Sequence, residues 1–387
     1  MSSVKERYYW VDVAKAIGIF FIFQAHLLQR AYRSSPEEVY LLYKFIYAFH
    51  LPLFFFISGF FYKKRDVPKL KQVGILFQKR IFPVLLFAAL TFIISIPYQY
   101  LKFGKLDGAY YLDNLLSLLQ GNPHLSATLW FLVCLWVVEI WAVMILPSVK
   151  TTLVGILITF LFLYYGYAWT TSPSFEEYYI FPKYFWYVQE SSVGFGFYAA
   201  GYTSFKWAVR LMKNNFALRG LLGVIFSIVS YFAAQLNLPY KGFVMVMKAS
   251  EHGSLFPFLV AAFAGTFATL LFASLIPKFK WIDYVGRNTL VLLGMNGLFM
   301  SFFNSHILAF LDHYDSAAWV IFDSIWVSAL TIALSVPVIE LLNRYLPQLI
   351  GRPQEDGPLL KAFKPLEFRW LAIFLGKLSQ KLGSISG

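Results

Sequence analysis

Apolar runs about twenty residues long recur from one end of this chain to the other, separated by short charged segments. A helix needs ~20 apolar residues to cross the hydrocarbon of a bilayer. Within that layer only helices and closed barrels satisfy their own backbone hydrogen bonds. Ten such runs can be counted, near 11–30, 40–62, 81–100, 128–147, 151–169, 191–207, 219–236, 255–276, 286–304 and 318–341. The expected fold is all-α, a polytopic transmembrane bundle of about ten spans. The runs near 191 and 286 hold glycines and polar groups, and read either as full spans or as half-helices lining a cavity, where irregular backbone is tolerated.

Charge supports the same class. Charged residues make up 14% of the 387-residue chain, too few to cover a globule, since soluble domains carry about a quarter. The net charge of +13 is not gathered on one domain, which argues against nucleic acid as a partner. The cations fall in loops after even-numbered spans, at Lys63, Lys64, Arg65, Lys69 and Lys71, then Lys150, Lys206, Arg210, Lys213, Arg219, Lys278 and Lys280. The other loops are mixed or acidic, with Glu37, Glu38, Asp107, Asp113, Glu176, Glu177, Asp312 and Asp315. Positive loops stay in the cytoplasm, so both termini are expected there. The single cysteine, Cys134, cannot form an intramolecular disulfide and reads as packing. Two regions are expected: a membrane domain over 1–343 and a basic amphipathic cytoplasmic tail over 344–387. In the tail Trp370, Leu371, Phe374 and Leu378 share one helical face, as in helices that lie on a membrane surface.

Two histidines stand inside this apolar background, His26 in the first span and His50 about a third of the way into the second. An ionisable group at membrane depth is expensive and marks function by default. No acidic or thiol ligand accompanies them at a metal-binding spacing, so no metal site is expected. Lys15 lies eleven residues before His26, close to three helical turns, so the two share a face about 16 Å apart along the axis. Asp12 points nearly the same way. Asp12 and Lys15 read equally as a boundary salt bridge or as part of a polar stripe. Lys79 and Arg80 open the third span, either as topology signals or as phosphate ligands, a task suited to the fork of arginine. Trp130 is a packing residue or a cavity wall. Glu251 and His252 at an outer mouth, and Arg287, Asn288 and Asn296 near the ninth span, are candidates for an acceptor site or cavity lining.

Taken together, the stretches WVDVAKAIGIFFIFQAH, AFHLPLFFFISGFFYKK, KRIFP, LWFL at 129–132, FYAAGY at 197–202 and VGRNTL at 285–290 resemble acyltransferase family 3. These are integral-membrane enzymes that modify bacterial surface glycans, and the chain is similar to the fucose 4-O-acetylase-like members. The resemblance implies helices around a central cavity, an acyl-CoA donor on the cytoplasmic side, a sugar acceptor outside, and residence in the bacterial inner membrane. It implies that His26 is essential and that a basic residue eleven positions earlier accompanies it. Lys15 stands where many members have arginine, and Asn296 where the family often has histidine.

Acyl transfer from a thioester to a hydroxyl needs a base for the hydroxyl proton and stabilisation of the developing oxyanion. The expected function is therefore O-acyl transfer, most simply acetyl transfer from acetyl-CoA as a substrate, with no tightly bound cofactor. His26 would serve as base or acyl carrier, with His50 orienting the reactants or assisting proton transfer. Lys15, Lys79 and Arg80 would hold the coenzyme A phosphates, and Asp12 would position Lys15. A transporter or flippase for a glycan precursor is the alternative, since intramembrane charges also mark transport paths.

Overall fold

The computed structural model describes residues 7–171, 184–237, 244–303 and 316–367. Helices dominate them: α1 Tyr9–Ala31, α2 Glu37–Phe60, α3 Lys69–Phe103, α4 Gly108–Leu119, α5 Trp130–Ile145, α6 Thr152–Thr171 and α7 Val188–Leu211, followed by α8 Phe216–Leu236, α9 Leu255–Leu275, α10 Lys280–Arg287, α11 Thr289–Phe302, α12 Ala317–Leu334 and α13 Val336–Tyr345. No strand is present among the described residues.

Among the described residues, eight helical stretches are long and apolar enough to cross a membrane. Two of the ten expected spans fall outside that group for different reasons. The span near 191 is the continuous 24-residue α7, whose Gln189, Glu190, Ser191 and Ser192 lower its hydropathy. The span near 286 is broken at Asn288 into the short α10 and the 14-residue α11, the half-helix alternative. The third span was expected to begin at 81, yet α3 starts at Lys69 and runs for 35 residues. Its first turns carry the cations at which a hydropathy reading stops. The last span is divided at Ser335, where Pro337 suits the first turn of a new helix.

Neighbouring helices meet as antiparallel pairs: Tyr47 of α2 reaches His26 of α1, and Ser230 of α8 donates to the carbonyl of Ala261 in α9 at 2.8 Å. The closest approach joins α2 to α7. A Cβ on Gly59 would fall on the carbonyl oxygen of Tyr198, and one on Gly201 would fall on that of Phe56. Only hydrogen at both positions lets the two backbones touch, the same device that brings membrane helices together at small residues.

The main core joins Ile19, Phe55, Phe87, Leu132, Phe195 and Leu292, from α1, α2, α3, α5, α7 and α11. Leucine and aromatic side chains on the far faces of α6 and α8, among them Leu157, Phe160, Leu221 and Phe232, are exposed. In a membrane these meet lipid. Part of the expected tail is packed against α3: Gln78 Nε2 donates to the carbonyl of Lys364 at 2.8 Å, and Phe363 lies edge-on to Phe82. The amphipathic stretch around Trp370 and Phe374 lies outside the described residues.

Candidate active site

The two membrane histidines converge. His26 sits on the outer half of α1 and is half-buried, between the buried Ala25 and Leu27. Its Nδ1 lies 3.4 Å from Oε1 of Gln29, one turn further along, and 3.3 Å from the hydroxyl of Tyr47 on α2. The Tyr47 hydroxyl donates to the same Gln29 oxygen at 3.1 Å. An amide oxygen only accepts, so it fixes the His26 proton on Nδ1 and leaves Nε2 with the lone pair. His50 is buried, and its Nδ1 donates to the carbonyl of Ile46 at 2.9 Å. This again leaves Nε2 as the basic nitrogen. The Tyr47 ring stands between them, its centroid 4.8 Å from that of His50 and 6.2 Å from that of His26.

One expectation about His50 changes. Helix α2 begins at Glu37, a turn before the apolar run, so His50 is the fourteenth of its 24 residues. It lies just past the middle of the helix, deeper than a third of the way in.

The inner end of α1 carries a second polar cluster. Asp12 is buried, with Lys15 Nζ 2.7 Å from one carboxylate oxygen and Arg7 donating to the other at 2.9 Å. Arg7 also pairs with Asp283 of α10 at 2.6 Å, and Arg287, one turn along α10, pairs with Asp283 as well. Gly286 permits this docking, because a Cβ there would fall on the carbonyl oxygen of Asp12. Arg287, a candidate for an acceptor site or cavity lining, is thus joined to the Asp12 and Lys15 cluster through Asp283. Asn288 follows it: its side chain donates to the carbonyl of Tyr284 at 2.8 Å and accepts from Asn343 at 2.9 Å. Three cations face two carboxylates in the Arg7, Asp12, Lys15, Asp283 and Arg287 cluster.

Arg80 has a partner that was not foreseen. Its Nε and Nη2 donate to the two oxygens of Glu139 on α5, at 2.9 and 2.5 Å, in a fork-to-carboxylate pair largely removed from solvent. Two of its five donors are thus occupied. Lys79 is half-buried on the adjoining position. Trp130 is buried at the start of α5, with its ring 5.2 Å from Tyr187, whose hydroxyl donates to Asn122 at 2.8 Å. Asn296 is buried in α11, and its Oδ1 has no hydrogen bond among the described residues.

The outer pair Glu251 and His252 separates. Glu251 is exposed, whereas His252 is fully buried and stacks on Phe258. Its carboxylate neighbour is Glu190 of α7, with Nε2 and Oε2 3.2 Å apart. Alternation along the short bridge between Val246 and Glu251 sends the acid out and the imidazole in. Among the described residues no group of three or more His, Cys, Asp or Glu side chains is placed to hold a metal.

The family model of the acyltransferase domain, acyltransferase family 3, matches residues 8–344. The chain belongs to acyltransferase family 3. The matched region runs from the first helix through α12 and into α13, so both polar clusters lie within it except for Arg7. No curated protein and no solved structure matches the chain. As an acyltransferase of the membrane, it has to bring an activated acyl group and an acceptor together inside a helical bundle. Tyr47, Gln29, Glu139 and Glu190 were not singled out from sequence. Glu139 and Glu190 carried a readable signal, an acid within an apolar run. Tyr47 and Gln29 carried only their spacing, three residues from a histidine on the same helix.

Proposed function

We propose that this protein is an O-acyltransferase that moves an acetyl group from cytoplasmic acetyl-CoA to a sugar hydroxyl of a surface glycan or its lipid-linked precursor, in a bacterial inner membrane. The observation that carries the reading is His26: a half-buried imidazole whose Nδ1 proton is held by Gln29 and Tyr47, so that Nε2 is free to accept a proton.

In this reading coenzyme A enters from the inner end. Lys15, Arg7 and Arg287 offer the cationic patch there, with Lys79 and Arg80 about three turns into α3, and Asp12 holds Lys15. Lys15 and His26 are about 16 Å apart along α1, a span that the pantetheine arm can bridge. Nε2 of His26 takes the acceptor hydroxyl proton as the oxygen attacks the thioester carbonyl. A tetrahedral oxyanion forms. It collapses as the carbon–sulfur bond breaks, and the coenzyme A sulfur leaves with the proton from the imidazolium. The products are the O-acetyl sugar and free coenzyme A. His50, locked to its own helix and packed on Tyr47, orients the pair.

Sealed vesicles test both the sidedness and the base. Inverted vesicles are expected to react with added acetyl-CoA and right-side-out vesicles are not. His26→Ala is expected to insert normally and to lose ~10²–10⁴-fold in rate. Equal labelling of the two preparations, with leakage excluded, would overturn cytoplasmic donor entry. Retention of more than about a tenth of the rate by His26→Ala would remove it as the base.

A further inference from the structure

Between α8 and α9 the described residues from Val244 onward form a short strap over the outer end of the bundle. It is tied down at several points. Val246 and Glu251 form a backbone bridge, and Ser250 takes a left-handed conformation at φ 57°. The Ser250 hydroxyl donates to Glu190 at 3.0 Å. Asn237 donates to the carbonyl of His252 and accepts from the backbone N–H of Ser254, both at 2.8 Å. Tyr167 donates to the carbonyl of Gly253 at 2.7 Å. Met245 and Met247 are buried in the main core. Val244 and Val246 pack in the cluster that contains Ala25, Tyr43 and Tyr47. The strap therefore lies against the residue that holds His26.

Lys248 stands on the turn of this strap. It is half-buried, and no carboxylate among the described residues lies within 4 Å of its ammonium. Burial pushes its pKa down from the ordinary lysine value. Lys248 follows the buried Met247 on the strap, and Arg30 lies one turn beyond His26 on α1. The Arg30 guanidinium is tied to the carbonyl of Met300 at 2.7 Å. Glu190, the acid at the strap's anchor, is engaged by Ser250 and His252. A partly desolvated cation with no carboxylate within reach among the described residues favours an anion over a neutral group.

We infer that Lys248 is an anion-binding residue of the acceptor side, receiving a carboxylate or phosphate that the acceptor carries near the hydroxyl to be acylated. The inference rests on the reading of His26 as the base, which fixes where that hydroxyl sits. It makes the strap a specificity element: a neutral sugar lacks the group that Lys248 binds.

The test uses the full-length protein in proteoliposomes and the modification of Lys248 by a membrane-impermeant amine-acylating reagent, quantified by peptide mass spectrometry. Glucuronate, inorganic phosphate and glucose are compared at matched ionic strength. Slowing of Lys248 modification at least fivefold by glucuronate or by phosphate, with no effect of glucose, is the expected result. Protection by glucuronate alone identifies a carboxylate, and protection by phosphate alone a phosphate. Equal modification under all three conditions overturns the proposal. In a second measurement the same anions are expected to inhibit acyl transfer by the wild type, with the inhibitory concentration raised at least tenfold in Lys248→Met. Unchanged inhibition in that variant also overturns it. Loss of acyl transfer in the wild type would sink the functional reading and leave the protection result standing by itself, so the two failures are distinguishable.

Discussion

Tyr47→Phe isolates one hydroxyl in the centre of the candidate site. The ring stays packed between the two imidazoles, and only the oxygen is lost that lies 3.3 Å from His26 Nδ1 and donates to Gln29 at 3.1 Å. Gln29 alone then restrains His26, at 3.4 Å, a long hydrogen bond. A neutral hydrogen bond contributes about 0.5–1.5 kcal/mol. If all of it serves to hold the base, the rate falls about two- to tenfold, since ~1.4 kcal/mol is a factor of ten. Initial rates of acetyl transfer at saturating acetyl-CoA measure this, with Km for the donor expected to be unchanged. The double variant His26→Ala, Tyr47→Phe is expected to be no slower than His26→Ala alone, because a positioning residue has nothing left to position. A further loss in the double variant would refute the argument. So would a Tyr47→Phe defect as large as that of His26→Ala, which would give the hydroxyl a direct part in the chemistry.

Two other perturbations follow from contacts in the bundle. Glu139→Ala leaves the Arg80 guanidinium buried without its partner and is expected to destabilise the protein by ~3–5 kcal/mol, seen as a lower midpoint in thermal unfolding in detergent. The double variant Arg80→Met, Glu139→Leu should recover most of that stability while raising Km for acetyl-CoA; an unchanged Km would make the pair purely structural. Gly201→Ala places a methyl group against the Phe56 carbonyl and is expected to cost at least ~1–3 kcal/mol through overpacking, whereas Gly108→Ala, which meets nothing within 4 Å, should be near neutral. Similar melting curves for the two glycine variants would contradict the tight α2–α7 approach.

The membrane class and most of the spans were legible because hydrocarbon thickness sets helix length directly. Where the chain did something local, the reading slipped. Helix α4 went unnoticed among loop residues: its twelve residues include none that are buried, so no core-facing stripe announces it. The histidines were legible because imidazoles are rare at depth. Their partners were not, since Tyr47 is one tyrosine among 25. Glu139 and Glu190 pair with Arg80 and with His252, each about sixty residues away in sequence, and no spacing rule reaches that far. Arg287 was legible only as a candidate for an acceptor site or cavity lining, for a related reason. Its place depends on how α10 docks on α1, a contact made through Gly286 and 270 or more residues of intervening chain.

The two glycine contacts between α2 and α7 bear on how the machine moves. Backbone pressed against backbone at Gly59 and again at Gly201 leaves no side chain to repack, so neither helix can slide or roll on the other without a collision. The pair behaves as a stator. His50 and Tyr47 ride on it through α2, and Glu190, which pins the outer strap, rides on it through α7. In the proposed reaction, passage of a long thioester from the inner end and a sugar from the outer end then has to be opened by the helices on the other side of His26. Among these α11 is set off from α10 by the break at Asn288, and α12 from α13 by the break at Ser335.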